Sequence, residues 1–292
     1  MRTDPDRLWR GLTFLPALSL LLVLGLLPVL NLATLGFFNV SWADGRSTWR
    51  FVGAAHYAAL AVDPLFRASL RNTAVFAVGA VAGQMLLGFA LALLCSKAMR
   101  GRVFWRALFI LPVLIPGIVV GAMWKLLLNP DFGLVAQFLG GVGLPPVNWL
   151  GDASTALLSV VLVDIWHWMP FCFLLFLAGI EALPQDVYEA ARVDGAGAWQ
   201  ELRHVTLPLM WPTIAVTFVF RLVLAFKVFD EVYLLTGGGP GTATEVVSFT
   251  IYQRFFNEDR VGYGAAMSVA VMFLVALMLV VAMAARRRVA AA

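Results

Sequence analysis

The chain has 292 residues, of which 61% are hydrophobic and 13% charged, against ~45–50% and ~25% in an ordinary soluble domain. So much apolar surface has to face lipid, which makes this an integral membrane protein and excludes disordered, collagenous and small disulfide-bonded classes. The net charge of +4 comes from 18 Arg and 3 Lys spread over short loops, a pattern for lipid headgroups and not for nucleic acid.

Gaps between charges mark the membrane spans. A helix needs ~20 apolar residues to cross the hydrocarbon layer, and six stretches qualify: about 12–38, 72–96, 106–128, 155–180, 211–235 and 262–285. The first follows Arg2, Arg7 and Arg10 as a signal peptide would, but it is longer than the ~7–15 residues of a signal core and no small-x-small cleavage site follows. It reads as an uncleaved span. Stretch 132–151 is also uncharged, but its Gly-Gly and Pro-Pro pairs break a helix, so it is assigned to a loop. Cys95 and Cys172 fall inside apolar stretches and read as packing residues.

Lysines and arginines orient the spans. With the N-terminus inside, twelve lie in inner segments and six in outer ones, so both termini are expected in the cytoplasm. Residues 181–210 then form the longest inner loop. Pro184 suits a first helical turn, with Asp186 and Glu189 near its positive end. Gly195 and Gly197 permit a turn, Gly195 at positive φ. A second short helix is expected over 198–206, ending before Pro208. The result is a compact knob with small residues at its surface.

The knob carries Glu189-Ala190-Ala191, three residues ending in Asp194, Gly195, nine residues, then Val205-x-Leu207-Pro208. This resembles the coupling-loop signature of ABC importer permease subunits, Glu-Ala-Ala, x3, Gly, x9, Ile-x-Leu-Pro, with Val205 in place of Ile. Segments 229–256 (FDEVYLLTGGGPGTATEVVSFTIYQRFF) and 51–60 (FVGAAHYAAL) are similar to the maltose-type first permease of the carbohydrate-uptake branch. The resemblance implies an all-α membrane protein with the six-helix type I permease fold in the bacterial inner membrane. It implies a second permease subunit, two ATPase subunits docked on the coupling loops, an extracytoplasmic solute-binding protein and a sugar-like substrate. Glu189, Ala190, Ala191, Asp194, Gly195, Val205, Leu207 and Pro208 are the expected ATPase-coupling residues.

Nothing in the sequence supplies chemistry of its own. The run Gly237–Gly241 has no Lys-Ser/Thr to close a phosphate loop and reads as an outer turn. His56, His167 and His204 have no partners at metal-ligand spacing, and no serine sits in a nucleophile elbow. No cofactor and no metal are expected in this chain, which reads as a transporter subunit and not an enzyme.

Charges inside the spans are the candidate solute path, because an ionised group at mid-membrane costs ~2.5–3.5 kcal/mol on insertion scales and faces a cavity or partner. Asp164, His167 and Trp168 stand at i, i+3, i+4 on one helix face. They offer hydroxyl acceptors and a flat aromatic for a sugar ring, or else a polar contact between helices. Arg221 lies at similar depth, placed to neutralise Asp164 or to touch ligand. Gln84 and Asn31 are lesser candidates. Lys227, Asp230 and Glu231 are spaced for a local ion pair at the rim. A polyol or glycerol-phosphate importer of the same family remains the alternative. An ion-driven secondary transporter would call for a carboxylate relay, and only Asp164 is a clear mid-span carboxylate.

Overall fold

The computed structural model describes residues 5–43, 45–96 and 101–290. Arg2, Lys97 and Arg100, counted above in orienting the chain, lie outside the described residues. Among the described residues, five helices are long and apolar enough to span a bilayer, and a sixth candidate is a helix pair bent by 97°. The chain forms two compact units, one of residues up to Pro64 with Ile251–Ala276, the other of Leu65–Thr250 with the chain from Leu277 on.

In the first unit, α1 (Pro5–Leu21) passes through a π-helical turn at Leu22–Leu26 into α2 (Leu27–Leu35). The wide turn lies just ahead of Pro28, whose missing N–H interrupts the i→i−4 ladder. The window Thr13–Leu35 buries none of its residues within the chain. Residues after it were expected as a plain loop. Instead β1 (Phe38–Ala43) and β2 (Arg46–Phe51) form an antiparallel hairpin with Phe38 opposite Phe51 and Ala43 opposite Arg46. Alternating apolar and polar residues carry that pairing. The helix α3 (Ala55–Val62) follows. The start of α14 (Val261–Ala290) joins this unit, tied by a 2.6 Å hydrogen bond that the Tyr263 hydroxyl donates to Asp63 and by the edge of His56 on the Tyr263 ring.

The second unit holds the spans that enclose polar groups. It begins with α4 (Pro64–Ser96), which leads to α5 (Arg102–Ile110), a 3₁₀ turn at Leu111–Leu114 and α6 (Gly117–Leu127). Stretch 106–128, expected as one continuous span, is therefore broken. Pro116 donates no backbone hydrogen bond and holds Ile115 extended, at φ −84° and ψ 129°, because the ring excludes helical geometry at the preceding residue. Stretch 132–151, expected as a loop throughout, instead contains the eight-residue α7 (Leu134–Gly141), which includes the Gly140-Gly141 pair, and the part with Pro145-Pro146 is irregular.

The centre of this unit is α8 (Ala156–Glu181). Gly88 lets α4 lie directly on it, since a Cβ at residue 88 would stand 2.8 Å from the Cys172 Cβ and 2.9 Å from the Phe173 nitrogen. Cys95 and Cys172 are free thiols in one buried apolar cluster with Ala92, Phe173, Phe176, Leu177 and Met210. After α8 come α9 (Gln185–Val193) and α10 (Ala198–Gln200), the latter continuing through π turns at Glu201–Thr206 into α11 (Leu207–Ala225). The expected stop before Pro208 does not occur. Pro208 occupies the first turn of α11, where the widened ladder already leaves its position without a normal partner. The expected span 211–235 in turn ends at Ala225, and a separate α12 (Asp230–Leu235) starts after a short irregular turn. Between α12 and α13 (Val247–Tyr252), the Gly237–Gly241 run turns with positive φ at Gly237, Gly238 and Gly241. Asn72 donates to the Thr242 and Glu245 carbonyls beside it, at 2.8 and 3.0 Å.

Candidate functional site

Three spans bring polar groups to one buried cluster. Asp164 on α8 and Arg221 on α11 are 3% and 1% exposed, and their side chains meet at 3.3 Å. Gln84 on α4 completes a ring. Its amide nitrogen donates to the Asp164 carboxylate at 2.6 Å and to the Asp164 carbonyl at 3.0 Å, while its oxygen accepts from Arg221 Nε at 2.8 Å. Each charge therefore has an opposite charge and a neutral amide, the arrangement that buried ion pairs need to offset desolvation. The Arg221 guanidinium also stacks 4.7 Å above the Trp168 ring, a cation–π contact.

One turn further along α8, His167 ties three elements together. Its Nε2 lies 3.0 Å from the Ile115 carbonyl and its Nδ1 3.0 Å from Glu231 Oε1. The Ile115 carbonyl is free because the chain breaks at Pro116, and a carbonyl only accepts. Nε2 therefore carries the hydrogen, and one further proton must lie between Nδ1 and the Glu231 carboxylate, on the ring or on the carboxyl. This corrects the expected rim pair. Glu231 is 5% exposed and turns inward to His167. The chain between Ala225 and Asp230 is not helical, so the i, i+4 spacing of Lys227 and Glu231 places them on no common face.

Asp164, His167, Trp168, Arg221 and Glu231 line a cavity of about 220 Å³, with Lys227 and Asp230 also facing it. The sequence-expected face is thus assembled. Two participants were not legible as such: Gln84, a lesser candidate whose only signal is its amide in an apolar span, and Glu231, whose partner lies 64 residues away. Asn31 belongs to the first unit and is exposed on α2.

The 181–210 segment forms a second assembly at the ends of α8 and α11. Gly195 has φ +82° and closes α9 in a Schellman turn, Ala196 N–H bonding the Ala191 carbonyl at 2.9 Å and Gly195 N–H the Arg192 carbonyl at 3.0 Å. Arg192 Nε donates to Glu201 at 2.8 Å, and the Tyr188 and Thr206 hydroxyls meet at 2.9 Å. The Glu201 carboxylate holds the Arg192 guanidinium above its ordinary pKa, chiefly through this hydrogen bond. Glu189, Ala190, Asp194 and Gly195 are exposed, together with Val193 at 88% and Trp199 at 70%. Of the remaining motif positions, Ala191 and Val205 are half-buried, and Leu207 and Pro208 sit exposed in the first turn of α11.

Residues 84–291 match the family described as binding-protein-dependent transport system inner membrane component. The trehalose/maltose transport system permease protein MalF of Thermococcus litoralis is 36% identical over 265 residues, which cover 90% of this chain and 88% of that protein. The sulfoquinovosyl glycerol transport system permease protein SmoG of Agrobacterium fabrum is 34% identical over 92% of this chain and 86% of its own. Among solved structures, a bacterial ABC transporter involved in the import of the acidic polysaccharide alginate superposes with a TM-score of 0.85 at 25% identity, over 97% of this chain and 96% of that one.

Proposed function

We infer the function on the premise that this chain belongs to the family of binding-protein-dependent transport system inner membrane components: it is the transmembrane permease subunit of an ATP-driven sugar importer. It is a multi-pass membrane protein with the all-α type I permease fold, and a transport protein, not an enzyme. The observation that carries the coupling role is the knob at 181–210, braced by the Arg192–Glu201 pair and the Gly195 turn yet exposing Glu189, Val193 and Trp199. In our reading it faces the cytoplasm, both termini lie on that side, and an ATPase subunit seats over Ala190 and Ala191. A second ATPase and a second permease subunit complete the assembly, and an extracytoplasmic binding protein delivers the solute.

The coupling reading is tested with Glu189→Ala and Gly195→Val together. Loss of a charge-assisted contact removes about 1.5–3 kcal/mol of docking energy, and a β-branched residue at φ +82° distorts the turn by a further ~1 kcal/mol or more. Co-purification of the ATPase subunit and solute uptake should both collapse, while abundance in the membrane stays near that of the parent chain. Undiminished association and uptake would remove this loop as the coupling element.

The solute path runs, in this reading, past Asp164, His167, Trp168 and Arg221. The cavity of about 220 Å³ is below the ~300–1,000 Å³ of a typical ligand pocket, as befits a half-site completed by a second subunit. Trp168 presents a flat ring to the C–H face of a sugar, and the Asp164 and Glu231 carboxylates accept hydroxyls. Trp168→Ala should lower uptake about tenfold, the equivalent of losing a contact of ~1–2 kcal/mol, with basal ATP hydrolysis and assembly retained. Unchanged uptake kinetics would make this face structural. Both named relatives have carbohydrate-type cargo in their names, trehalose/maltose and sulfoquinovosyl glycerol, and a sugar or glycoside is the cargo class proposed here.

A further inference from the structure

The hairpin β1–β2 is amphipathic in a way its loop position did not suggest. Its register puts Phe38, Val40, Trp49 and Phe51 on one face and Asn39, Ser41, Thr48 and Arg50 on the other. The polar face is internally bonded, with the Ser41 and Thr48 hydroxyls 2.7 Å apart. On the apolar face Val40 is 4% exposed, whereas Trp49 and Phe51 are 54% and 67% exposed. Phe38 holds both of these rings, edge-on to Trp49 at 5.9 Å and to Phe51 at 5.3 Å, so the exposed aromatics are a built surface.

Their position along the hairpin identifies what covers them. The strand β1 starts three residues after Leu35, the last residue of the Thr13–Leu35 span. Phe51 pairs with the first residue of β1 and Trp49 with the third, so the two rings lie at the root, separated by ~7 Å at ~3.3 Å per residue. The layer between hydrocarbon and water is roughly 5–7 Å deep on each side of a bilayer, and the root emerges from a lipid-crossing helix straight into it. The Trp49 indole N–H donates to Ser47 Oγ at 3.1 Å, one step toward the tip and away from the span. An aromatic body toward lipid with its polar atom toward water is how tryptophan sits at a membrane surface. Arg50 occupies the same level on the opposite face, within reach of a headgroup phosphate.

We propose that the root of this hairpin is a lipid anchor, with Trp49 and Phe51 seated in the headgroup–acyl boundary of the leaflet that this end of the first span reaches, and Arg50 paired with a phospholipid phosphate. The anchor fixes the depth of the span. That role is independent of which solute passes or where it binds.

Spin labels attached to single cysteines at residues 48, 49, 50 and 51 test it, in the assembled transporter reconstituted into phosphatidylglycerol-containing vesicles. The two native cysteines, both buried, are replaced by alanine. Labels at 49 and 51 are expected to collide several-fold more often with oxygen, which concentrates in lipid, than with a water-soluble nickel chelate. Labels at 48 and 50 should show the reverse, giving an alternation with the period of the strand. Preference for the aqueous reagent at all four positions overturns the proposal. So does shielding of 49 and 51 from both reagents, which would mean a protein cover. If the label at 49 prevents insertion, the contrast between 50 and 51 decides.

Discussion

Replacing Arg221 with methionine is expected to deplete the subunit from the membrane, and not merely to slow transport. The guanidinium is 1% exposed and is held by Asp164, Gln84 and the Trp168 ring. Removing it leaves the Asp164 carboxylate at 3% exposure with one amide donor and no countercharge. Breaking a buried pair from one side costs about 3–5 kcal/mol, which is a large share of the ~5–15 kcal/mol that holds a typical domain together. Membrane abundance should fall sharply, and the detergent-extracted remainder should melt well below the parent protein. The double replacement Asp164→Asn with Arg221→Met should recover much of the abundance. Asparagine at 164 can accept from the Gln84 amide nitrogen and donate to its oxygen, satisfying both groups without charge. Normal abundance and melting of Arg221→Met would show that the pair contributes little to the fold.

Gly88→Leu should have an effect of similar size by a different route. The site depends on α4 lying close enough for Gln84 to reach Asp164 and Arg221, and Gly88 sits one turn further along the same face. A Cβ there would meet both the Cys172 Cβ and the Phe173 backbone nitrogen inside 3 Å. Backbone atoms cannot swing aside, so the helices must separate, at about 1–3 kcal/mol or more, and the Gln84 bonds lengthen with them. Thermal stability and uptake should fall together. Gly140→Leu, where an added Cβ meets nothing within 4 Å, should leave both unchanged. Adding Cys172→Gly to Gly88→Ala should recover only part of the loss, because the Phe173 nitrogen stays 2.9 Å from the new Cβ. Stability of Gly88→Leu equal to that of the parent chain would refute the close seam.

Membrane class, the approximate spans and the outline of the knob were open to reading from residues alone. Apolar run length and the αL position of Gly195 are local properties, set by transfer energy and by one missing Cβ. The shared face of Asp164, His167 and Trp168 was likewise legible, since helical spacing alone aligns them. Where the chain departs from regular spacing, local reading failed. Run length alone predicts a single span across Pro116, yet the helix pair there is bent by 97°, and Pro208 reads locally as a stop, yet α11 runs through it. A proline states only that a donor is missing. Whether the helix bends, widens or ends depends on which group donates to the orphaned carbonyl.

That choice belongs to tertiary structure. The carbonyl freed at Ile115 is taken by His167, 52 residues on, and the same ring draws Glu231 inward from 64 residues away. Gln84 likewise became central only when α4, α8 and α11 met. What the sequence by itself determined is the set of charges and amides that lipid will not tolerate. Which of them neutralise one another was decided by packing, because in a medium without water each buried polar group must find its partner across helices, wherever the backbone brings one within about 3 Å.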